Sequence, residues 1–542
     1  MLELIANLLG GIGTFTLGMV LITDSLKNLA GNSLKEALKK FTGGTFSSIV
    51  TGIISTTILQ SSHATILTTI GFVSAGILSF KQSIGIILGA NLGTTSTGWI
   101  VSLVGFKLSM GKLAFPLIGI GAMLKLLFKR KLGEFGLFLA GFSLLFLGID
   151  FLQTAMRGFS QNFNPSNIPT NTLFNKIWIV LSGIGMTIVM QSSSAALTTT
   201  LSALSENVIH LEQACYLVIG QNIGTTLTAG IAAIGAGIPA KRTALVHVLF
   251  NILAAIVAFI ILHPLLIGMN KLLDYWDMDD PVSITVVFHS VFNLIGILVF
   301  LPFLSWFSQK IIELFPEEKE DPTRYLDIIL YNSPSIALDT LERSLFELLK
   351  MILKSIEKIF QSQVDLHEIH NEAVKYKEKL KQIILFSEKI PVSQVSEKEQ
   401  ELKNSLLHII DHLDSLLDTI LIHQISIFEY SKINIELLKK ELLETTNKIL
   451  ESDLKNLPLE YIESRSKDLA EFRKSTRLKI LSTTAEGNIK ASEAIREIDM
   501  VRWFDRVHYY LWRLTYHFCL NHVQEKSKII PQKNYTSFFL NK

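Results

Sequence analysis

Charged side chains are scarce in the first 315 residues of the chain. Lys and Arg contribute 17 and Asp and Glu 12, so about 9% of this stretch is charged. The remaining 227 residues hold the other 69 charged side chains, about 30%. Soluble domains carry about a quarter. The contrast excludes a single soluble domain and indicates a membrane part followed by a water-soluble part.

Cysteine and net charge are also low. The only cysteines are Cys215 and Cys519, one in each part, which excludes a disulfide scaffold. The formal net charge is only +2, too small for the strong positive field that nucleic-acid binding requires. We therefore expect no nucleic-acid partner.

Long hydrophobic runs fill the first part instead. A membrane-spanning helix needs about 20 mostly apolar residues. Two stretches, 45–80 and 176–205, are apolar but interrupted near the middle by polar residues, with arms on either side too short to span comfortably. We expect these two to form re-entrant hairpins. The predicted full spans are 4–23, 82–105, 113–128, 134–153, 213–237, 243–269 and 283–307.

An internal repeat is the strongest signal in the sequence. A single offset along the chain places Gln60-Ser61-Ser62 on Gln191-Ser192-Ser193 without a gap. Matching polar residues in register indicate a duplication, not a compositional accident. We predict repeat 1 at 1–131 and repeat 2, with one extra span, at 132–315. The same offset places Gly89, Asn91, Gly93, Thr94 and Thr95 on Gly220, Asn222, Gly224, Thr225 and Thr226.

Loop charges predict how the two repeats are oriented. Basic loop residues favour the cytoplasmic side of a membrane. With the C-terminal part inside, the acidic loop 274–280 falls outside, and the basic runs 129–131 and 241–242 fall inside. This arrangement turns repeat 2 upside down relative to repeat 1. Inverted repeats with broken helices near mid-membrane are typical of secondary transporters. The predicted fold is therefore an all-α polytopic membrane protein of two inverted repeats with re-entrant hairpins, plus a soluble helical bundle.

The polar motifs suit an oxyanion bound together with a small cation. Each hairpin tip starts a helix, whose free N–H groups and positive dipole end favour an anion. Ser, Thr and Asn oxygens suit sodium. We expect the glycines near Asn91 and Asn222 to unwind their helices. No Lys or Arg lies in the middle of a predicted span. Because an uncompensated anion in a low-dielectric site is costly, co-bound cations have to neutralise it.

Some polar residues allow a second interpretation. Ser-rich membrane helices often serve only close packing, but duplication of the whole constellation argues against that here. His63 stands where the second motif has Ser194, and is either a proton-sensitive ligand or a hydrogen-bonded tip residue. His247 and His289 each begin an HxxFN pattern. We expect them to cap or bridge packed helices.

The duplicated QSS motifs, each followed in the next apolar segment by GxNxGTT, resemble the sodium-dependent phosphate cotransporter family. The resemblance covers residues 1 to about 310. It implies a symporter that couples sodium entry to uptake of inorganic phosphate, with both ligands bound between the repeats. The residues it implies as phosphate and sodium ligands are Gln60, Ser61, Ser62, Asn91, Thr94, Thr95, Gln191, Ser192, Ser193, Ser194, Asn222, Thr225 and Thr226. His63 departs from the family pattern, which has Ser at this position in many members, and we include it in the predicted site.

Residues 316–542 predict an antiparallel bundle of amphipathic helices. The segments are 335–385, 398–427, 430–452, 459–483 and 487–521. The bundle resembles the PhoU-like domain of bacterial family members, with Asp505-Arg506-Val507 loosely like its ERxxD stretch. Asp411, Asp414 and Asp418 are either metal ligands or part of a solvated face. No metal other than sodium is expected.

Two functions are compatible with the sequence, and a third is disfavoured by it. The first is a sodium–phosphate symporter in the cell (cytoplasmic) membrane, with a cytoplasmic regulatory domain and no cofactor beyond the coupling sodium ions. The second is a phosphate-sensing signalling protein that binds but does not transport. The third, a serine hydrolase using Ser62 and His63, lacks a GxSxG elbow and a His in the duplicated motif. The expected partners are phosphate, sodium and the lipid bilayer, and a homo-oligomer is compatible with all of them.

Overall fold

The computed structural model divides the chain into two compact units. The membrane unit comprises Met1–Glu318 and Asp327–Ile329, and the helical unit comprises Lys319–Leu326 and Leu330–Lys542. The described residues are 2–30, 42–107, 111–162, 169–234, 236–274, 280–316, 321–332, 334–360, 366–391, 397–422, 435–454 and 456–523. Residues 275–279 of the acidic loop that we predict outside therefore lie beyond this description.

The described part of the membrane unit is built mainly from α-helices, with a π-helical segment at Val101–Lys107 and a 3-10 segment at Leu301–Phe303. Six helices are long and apolar enough to cross a membrane, which confirms the polytopic all-α class. Predicted spans 113–128 and 213–237 do not reach that standard, although both segments are largely helical. The helices are α1 (Leu2–Ala30), α2 (Thr45–Leu59), α3 (Ser62–Ser74), α4 (Phe80–Ile100), α5 (Gly111–Leu127), α6 (Lys131–Asn162), α7 (Leu173–Met190), α8 (Ser193–Ser205), α9 (Leu211–Ala232), α10 (Ile238–Asp274), α11 (Pro281–Phe300) and α12 (Leu304–Leu314).

Two helical hairpins stand where the interrupted hydrophobic stretches predict them. The first is α2–α3 and the second α7–α8, each with a short polar break between its arms. The arms are 15 and 13 residues in the first hairpin and 18 and 13 in the second. The prediction that every arm is too short to span is wrong for α7, which is long enough to count among the six candidate spans.

In each hairpin, the first arm packs parallel to the helix that follows the hairpin in the chain. The backbone of α4 approaches α2 at Gly89, where an added Cβ would lie 2.0 Å from the carbonyl oxygen of Ile49. Repeat 2 copies this contact between Gly220 of α9 and Val180 of α7, again at 2.0 Å. Gly220 and Val180 are the repeat equivalents of Gly89 and Ile49. The duplication therefore extends from sequence identity to the packing register.

The expected unwinding of the GxNxGTT segments is wrong. Helix α4 continues through Gly93, and α9 continues through Gly224. An added Cβ would lie 2.7 Å from the Ile53 carbonyl oxygen at the first position and 2.7 Å from the Thr187 Cβ at the second. These glycines allow close helix packing, as small residues do at membrane-helix interfaces.

Helices α1 and α6 also approach closely through glycines. A Cβ on Gly18 would lie 2.6 Å from the Gly141 carbonyl oxygen, and one on Gly11 would lie 2.9 Å from the Leu152 nitrogen and 3.1 Å from the Gly148 carbonyl oxygen. As residue numbers rise along α1, the residues they contact in α6 fall in number, so the two helices run antiparallel. One constant offset along the sequence places Gly11 on Gly141 and Gly18 on Gly148. The contact is therefore reciprocal between equivalent residues.

One buried carboxylate joins both repeats within the membrane unit. Asp327 is 1% exposed and accepts hydrogen bonds from the Ser74 hydroxyl and the Gly237 backbone N–H, both at 3.0 Å. Ser74 ends α3 of repeat 1, and Gly237 directly precedes α10 in repeat 2. Because a buried carboxylate is stable only with such partners, residues Asp327–Ile329 are an integral part of this unit.

The helical unit is an array of amphipathic helices with an aliphatic and aromatic interior. The predicted helix 335–385 is wrong, because the structure has two helices there, α13 and α14. Lys377 lies 3.3 Å from Asp414 and 2.5 Å from Asp418, so these two carboxylates face an ammonium group. The helices are α13 (Pro334–Ile359), α14 (Leu366–Glu388), α15 (Glu397–Ile422), α16 (Ile435–Leu450), α17 (Leu459–Ala485) and α18 (Ala491–Val523).

The glycine contacts can be tested by adding a methyl group. Gly89→Ala and Gly220→Ala are each expected to destabilise the protein by about 1–3 kcal/mol, because backbone has to move. Gly230→Ala in α9 is the matched control, since nothing lies within 4 Å of its added Cβ. Thermal unfolding of the full chain in one detergent measures the difference. Equal melting of all three variants would contradict the packing register.

Candidate functional site

The two hairpin tips have the same backbone geometry. Gln60 and Gln191 adopt the left-handed conformation, with φ of 51° and 52°. The next residues, Ser61 and Ser192, are extended, with φ of −152° in both. Each serine then caps the following helix, since its Oγ accepts a hydrogen bond from a backbone N–H in the first turn, at 3.2 Å and 3.1 Å. The duplicated sequence therefore produces a duplicated break in the helix.

The glutamine side chains differ between the two tips. The Gln60 amide nitrogen donates to the Thr57 carbonyl oxygen at 2.6 Å and to the Ser96 hydroxyl at 3.2 Å. Its carbonyl oxygen accepts from the Thr97 hydroxyl at 3.1 Å, which ties the first tip to α4. Gln191 donates to the Ile188 carbonyl oxygen at 2.8 Å and is exposed. The second tip has no such tie among the described residues.

Several predicted ligands bond to their own helix. The Asn91 amide donates to the Ile87 carbonyl oxygen at 3.1 Å. The hydroxyls of Thr95 and Thr226 donate to carbonyl oxygens of the preceding turn, both at 2.8 Å. All three side chains are buried. Ser62 is half-buried and His63 exposed at the start of α3.

A cavity in the membrane unit gathers five of the predicted residues from both repeats. Thr94 comes from α4, Ser193 and Ser194 from the first turn of α8, and Asn222 and Thr225 from α9. Leu197 and Val218 supply apolar wall. The predicted residues outside this lining are Gln60, Ser61, Ser62, His63, Asn91, Thr95, Gln191, Ser192 and Thr226.

Two further lining residues, Gln221 and His289, are absent from the prediction. Gln221 corresponds to Ala90 in repeat 1, so a comparison that retains only matching residues passes over it. His289 lies on α11, outside both duplicated motifs. The sequence signal that marks His289 is its HxxFN pattern, and we predict that residues of this pattern cap or bridge packed helices.

The bridging expectation holds for one member of the HxxFN pair. The Asn222 amide donates to Asn251 Oδ1 at 2.7 Å, which links α9 to α10. Asn293, the equivalent of Asn251, donates to the His289 carbonyl oxygen of its own helix at 2.9 Å. The second pattern therefore leaves the His289 ring at the cavity wall.

The cavity offers dipoles without fixed charge. Hydroxyl, amide and imidazole groups line it, and none of the described lining residues is Lys, Arg, Asp or Glu. Ser193 and Ser194 lie in the first turn of α8, where the helix dipole favours negative charge. Hydroxyl and amide oxygens also suit a hard monovalent cation. The cavity is small, and its described lining offers polar groups to a ligand without supplying a fixed charge of its own.

Comparison with known proteins assigns the chain to a family. The family model described as Na+/Pi-cotransporter matches residues 14–154 and 166–273. A Bacillus subtilis protein named uncharacterized protein YqeW is 34% identical over 309 residues, which cover 56% of this chain and 95% of that relative. The chain belongs to the Na+/Pi-cotransporter family. Members of this family are transporters and not enzymes, so the serine hydrolase alternative is wrong.

More distant relatives carry names that refer to phosphate. The "Putative inorganic phosphate export protein YjbB" of Escherichia coli K12 is 25% identical over 365 residues, 66% of this chain and 65% of that protein. The chain therefore spans slightly less than two thirds of that relative. The human "Sodium-dependent phosphate transport protein 2C" is 30% identical over 126 residues, 22% of this chain and 21% of its own length. No solved structure matches the chain significantly.

The left-handed residue at the second tip gives a testable consequence for stability. Gln191→Gly and Gln191→Ala both remove the amide, but only glycine adopts a positive φ without steric cost. The glycine variant is therefore expected to be more stable than the alanine variant by about 1–2 kcal/mol. Thermal unfolding of both proteins in the same detergent measures this. Identical melting would mean that residue 191 does not hold this conformation.

Proposed function

We propose that the protein is a secondary active symporter that couples sodium influx to uptake of inorganic phosphate. The observation that carries the proposal is the cavity that joins Thr94 of repeat 1 to Ser193 and Asn222 of repeat 2 without a fixed charge. A phosphate bound there needs cations to neutralise it, and sodium ions that enter with it supply them. Family membership supports this choice of substrate and coupling ion.

Alternating access between two inverted repeats is the proposed mechanism. A two-fold axis that inverts one repeat onto the other makes equivalent helices run antiparallel. The reciprocal approach of Gly18 to Gly141 and of Gly11 to Gly148 in α1 and α6 has this character and supports the inversion. The predicted ligands of repeat 1 that lie outside the cavity lining, which include Ser62 and Gln60, are proposed to serve the first half-site during the transport cycle.

Uptake is the proposed direction, although one group of relatives is named for export. A coupled carrier moves substrate along the combined gradient of all its ligands. With sodium higher outside, obligatory sodium coupling drives phosphate inward. Export requires weak coupling or a reversed gradient. The direction of phosphate transport therefore depends on how tightly it is coupled to sodium, which can be measured, and not on the fold.

The helical unit is proposed to be a cytoplasmic PhoU-like regulator of a transporter in the cell membrane. Loop charge supports the cytoplasmic position. Asp505 is buried and pairs with Arg473 at 2.8 Å. Burial raises its pKa and the Arg473 guanidinium opposes that rise. This carboxylate is therefore engaged inside the unit, which favours a structural role for the stretch that resembles ERxxD.

Sodium-driven transport is tested in liposomes that contain the full chain. An inward sodium gradient is expected to accumulate radiolabelled phosphate, and replacement of sodium by choline is expected to abolish accumulation. Ser193→Ala is expected to raise the KM for phosphate about tenfold or more, because a hydrogen bond to a charged group is lost. Ser62→Ala probes the first half-site in the same way.

Ser182→Ala is the matched control, because Ser182 is exposed on α7 and donates only to the Trp178 carbonyl oxygen at 2.8 Å. Uptake that persists in choline would contradict the coupling. Saturable phosphate binding without any accumulation would instead favour the phosphate-sensing alternative. An unchanged KM in Ser62→Ala would remove that serine from the ligand set.

Regulation by the helical unit is tested by truncation after Asn332. The shorter chain keeps Asp327 and its bonds to Ser74 and Gly237, which a cut at residue 320 would remove. We expect transport to remain and its adjustment to phosphate supply to be lost. The initial uptake rate of cells grown in high and in low phosphate measures this. The same adjustment in the truncated and full chains would contradict a regulatory role.

A further inference from the structure

Two lining groups of the cavity have polar atoms without partners. Gln221 is 2% exposed, and its Oε1 has no hydrogen-bond partner among the described residues. His289 is 5% exposed, and its Nδ1 has none in that part of the chain either. Buried polar atoms normally find a partner, and a missing one costs free energy. Because both residues line the same cavity, a bound ligand is the natural partner for both.

The orientation of the Gln221 amide is determined by its surroundings. Its Nε2 lies 3.1 Å from the Ala196 carbonyl oxygen and 2.7 Å from the Thr200 hydroxyl. A carbonyl oxygen can only accept a hydrogen bond, so the amide nitrogen has to face Ala196. The Gln221 oxygen therefore points elsewhere, as an acceptor that requires a donor or a cation.

The His289 ring is held by packing on one side. Its centroid lies 5.5 Å from that of Phe292 in the same helix. A neutral imidazole carries one N–H donor and one acceptor nitrogen. Within the described residues no side chain uses Nδ1. The ring is therefore positioned at the wall while its Nδ1 stays available to a ligand.

We propose that Gln221 and His289 recognise the substrate as a protonated oxyanion. The P–OH group of phosphate donates to Gln221 Oε1, and the imidazole N–H of His289 donates to an unprotonated phosphate oxygen. Ser193 and Ser194 complete the donor set at the start of α8. The inference rests on the proposed function and specifies which residues select its substrate.

This arrangement predicts discrimination between phosphate and sulfate. Phosphate keeps at least one proton near neutral pH, whereas sulfate keeps none. A sulfate oxygen facing Gln221 Oε1 would place two acceptors against each other without a hydrogen between them. Arsenate carries the same proton as phosphate and is not rejected on this ground. The pair therefore selects protonated tetrahedral oxyanions as a class.

Substitutions at position 289 separate recognition from packing. His289→Phe keeps an aromatic ring beside Phe292 but removes both nitrogens, and it is expected to raise the KM for phosphate about tenfold. His289→Asn places an amide near the position of Nδ1, and His289→Gln places one near Nε2. At least one of the two is expected to recover most of the lost affinity.

His247→Phe is the matched control. His247 is 2% exposed and both of its ring nitrogens lack partners among the described residues, but it does not line the cavity. Its KM for phosphate is expected to stay within about twofold of wild type. A wild-type KM in His289→Phe, or amide variants no better than phenylalanine, would overturn the role of His289.

Substitution of Gln221 tests the discrimination between phosphate and sulfate. Gln221→Met keeps the length of the side chain and removes the acceptor. In wild type, excess sulfate is expected to leave phosphate uptake unchanged, while arsenate competes. In Gln221→Met the phosphate KM is expected to rise and the ratio of sulfate inhibition constant to phosphate KM to fall about tenfold. A variant altered only in its sodium dependence would assign Oε1 to a cation and overturn the proposal.

Wild-type liposomes separate this inference from the proposed function. If wild type shows no sodium-dependent uptake, the transport function fails. Thermal stabilisation by phosphate in detergent then reports recognition directly, and equal stabilisation of wild type and His289→Phe overturns this inference. If wild type transports and neither the His289 nor the Gln221 variants change KM or selectivity, the transporter remains and the recognition pair fails.

Discussion

A helix that stops inside a hydrophobic unit leaves backbone N–H and C=O groups without partners, and lipid cannot satisfy them. The structure meets this constraint at both hairpin tips with one left-handed glutamine and one extended serine, which caps the next helix. The cap accounts for one backbone donor, and the side-chain amides of Gln60 and Gln191 donate to backbone carbonyl oxygens of the preceding helix. Polar groups near the tips are therefore a requirement of the broken helix itself, and the proposed ligand site uses groups of this kind.

The sequence predicts this part of the structure well because duplication is a strong signal. Identical residues at a constant offset identify the two tips, and the polar interruptions of the apolar stretches identify the hairpins. The close packing of Gly89 on Ile49 and of Gly220 on Val180 is seen only in the structure. The same signal fails for residues that the repeats do not share. Gln221 aligns with Ala90 of repeat 1, so no matching residue marks it, and the HxxFN pattern that His289 shares with His247 lies outside the duplicated motifs and does not indicate a ligand. Asymmetric residues at a pseudo-symmetric site are the ones that a comparison of repeats misses.

Glycine shows why local pattern alone cannot decide backbone geometry. Gly93 permits either an unwound helix or a close contact, and the choice depends on whether another backbone approaches. Helix α2 does approach, with the Ile53 carbonyl oxygen 2.7 Å from an added Cβ, and α4 stays continuous. The predicted helix 335–385 is a similar case, because an amphipathic pattern does not by itself locate where one helix ends and the next begins.

The described cavity lining carries no fixed charge, and this absence affects the free energy with which an anion can bind there. A resident Arg would hold an anion whether or not sodium is present, and would weaken the coupling between the two ligands. Dipoles alone bind the anion weakly, so its affinity depends on the cations that accompany it. Because such coupling is reciprocal, the proposed symporter is expected to bind sodium more strongly when phosphate is bound. Neutral donors and acceptors such as His289 and Gln221 can then distinguish one oxyanion from another without adding the charge that would remove this mutual dependence.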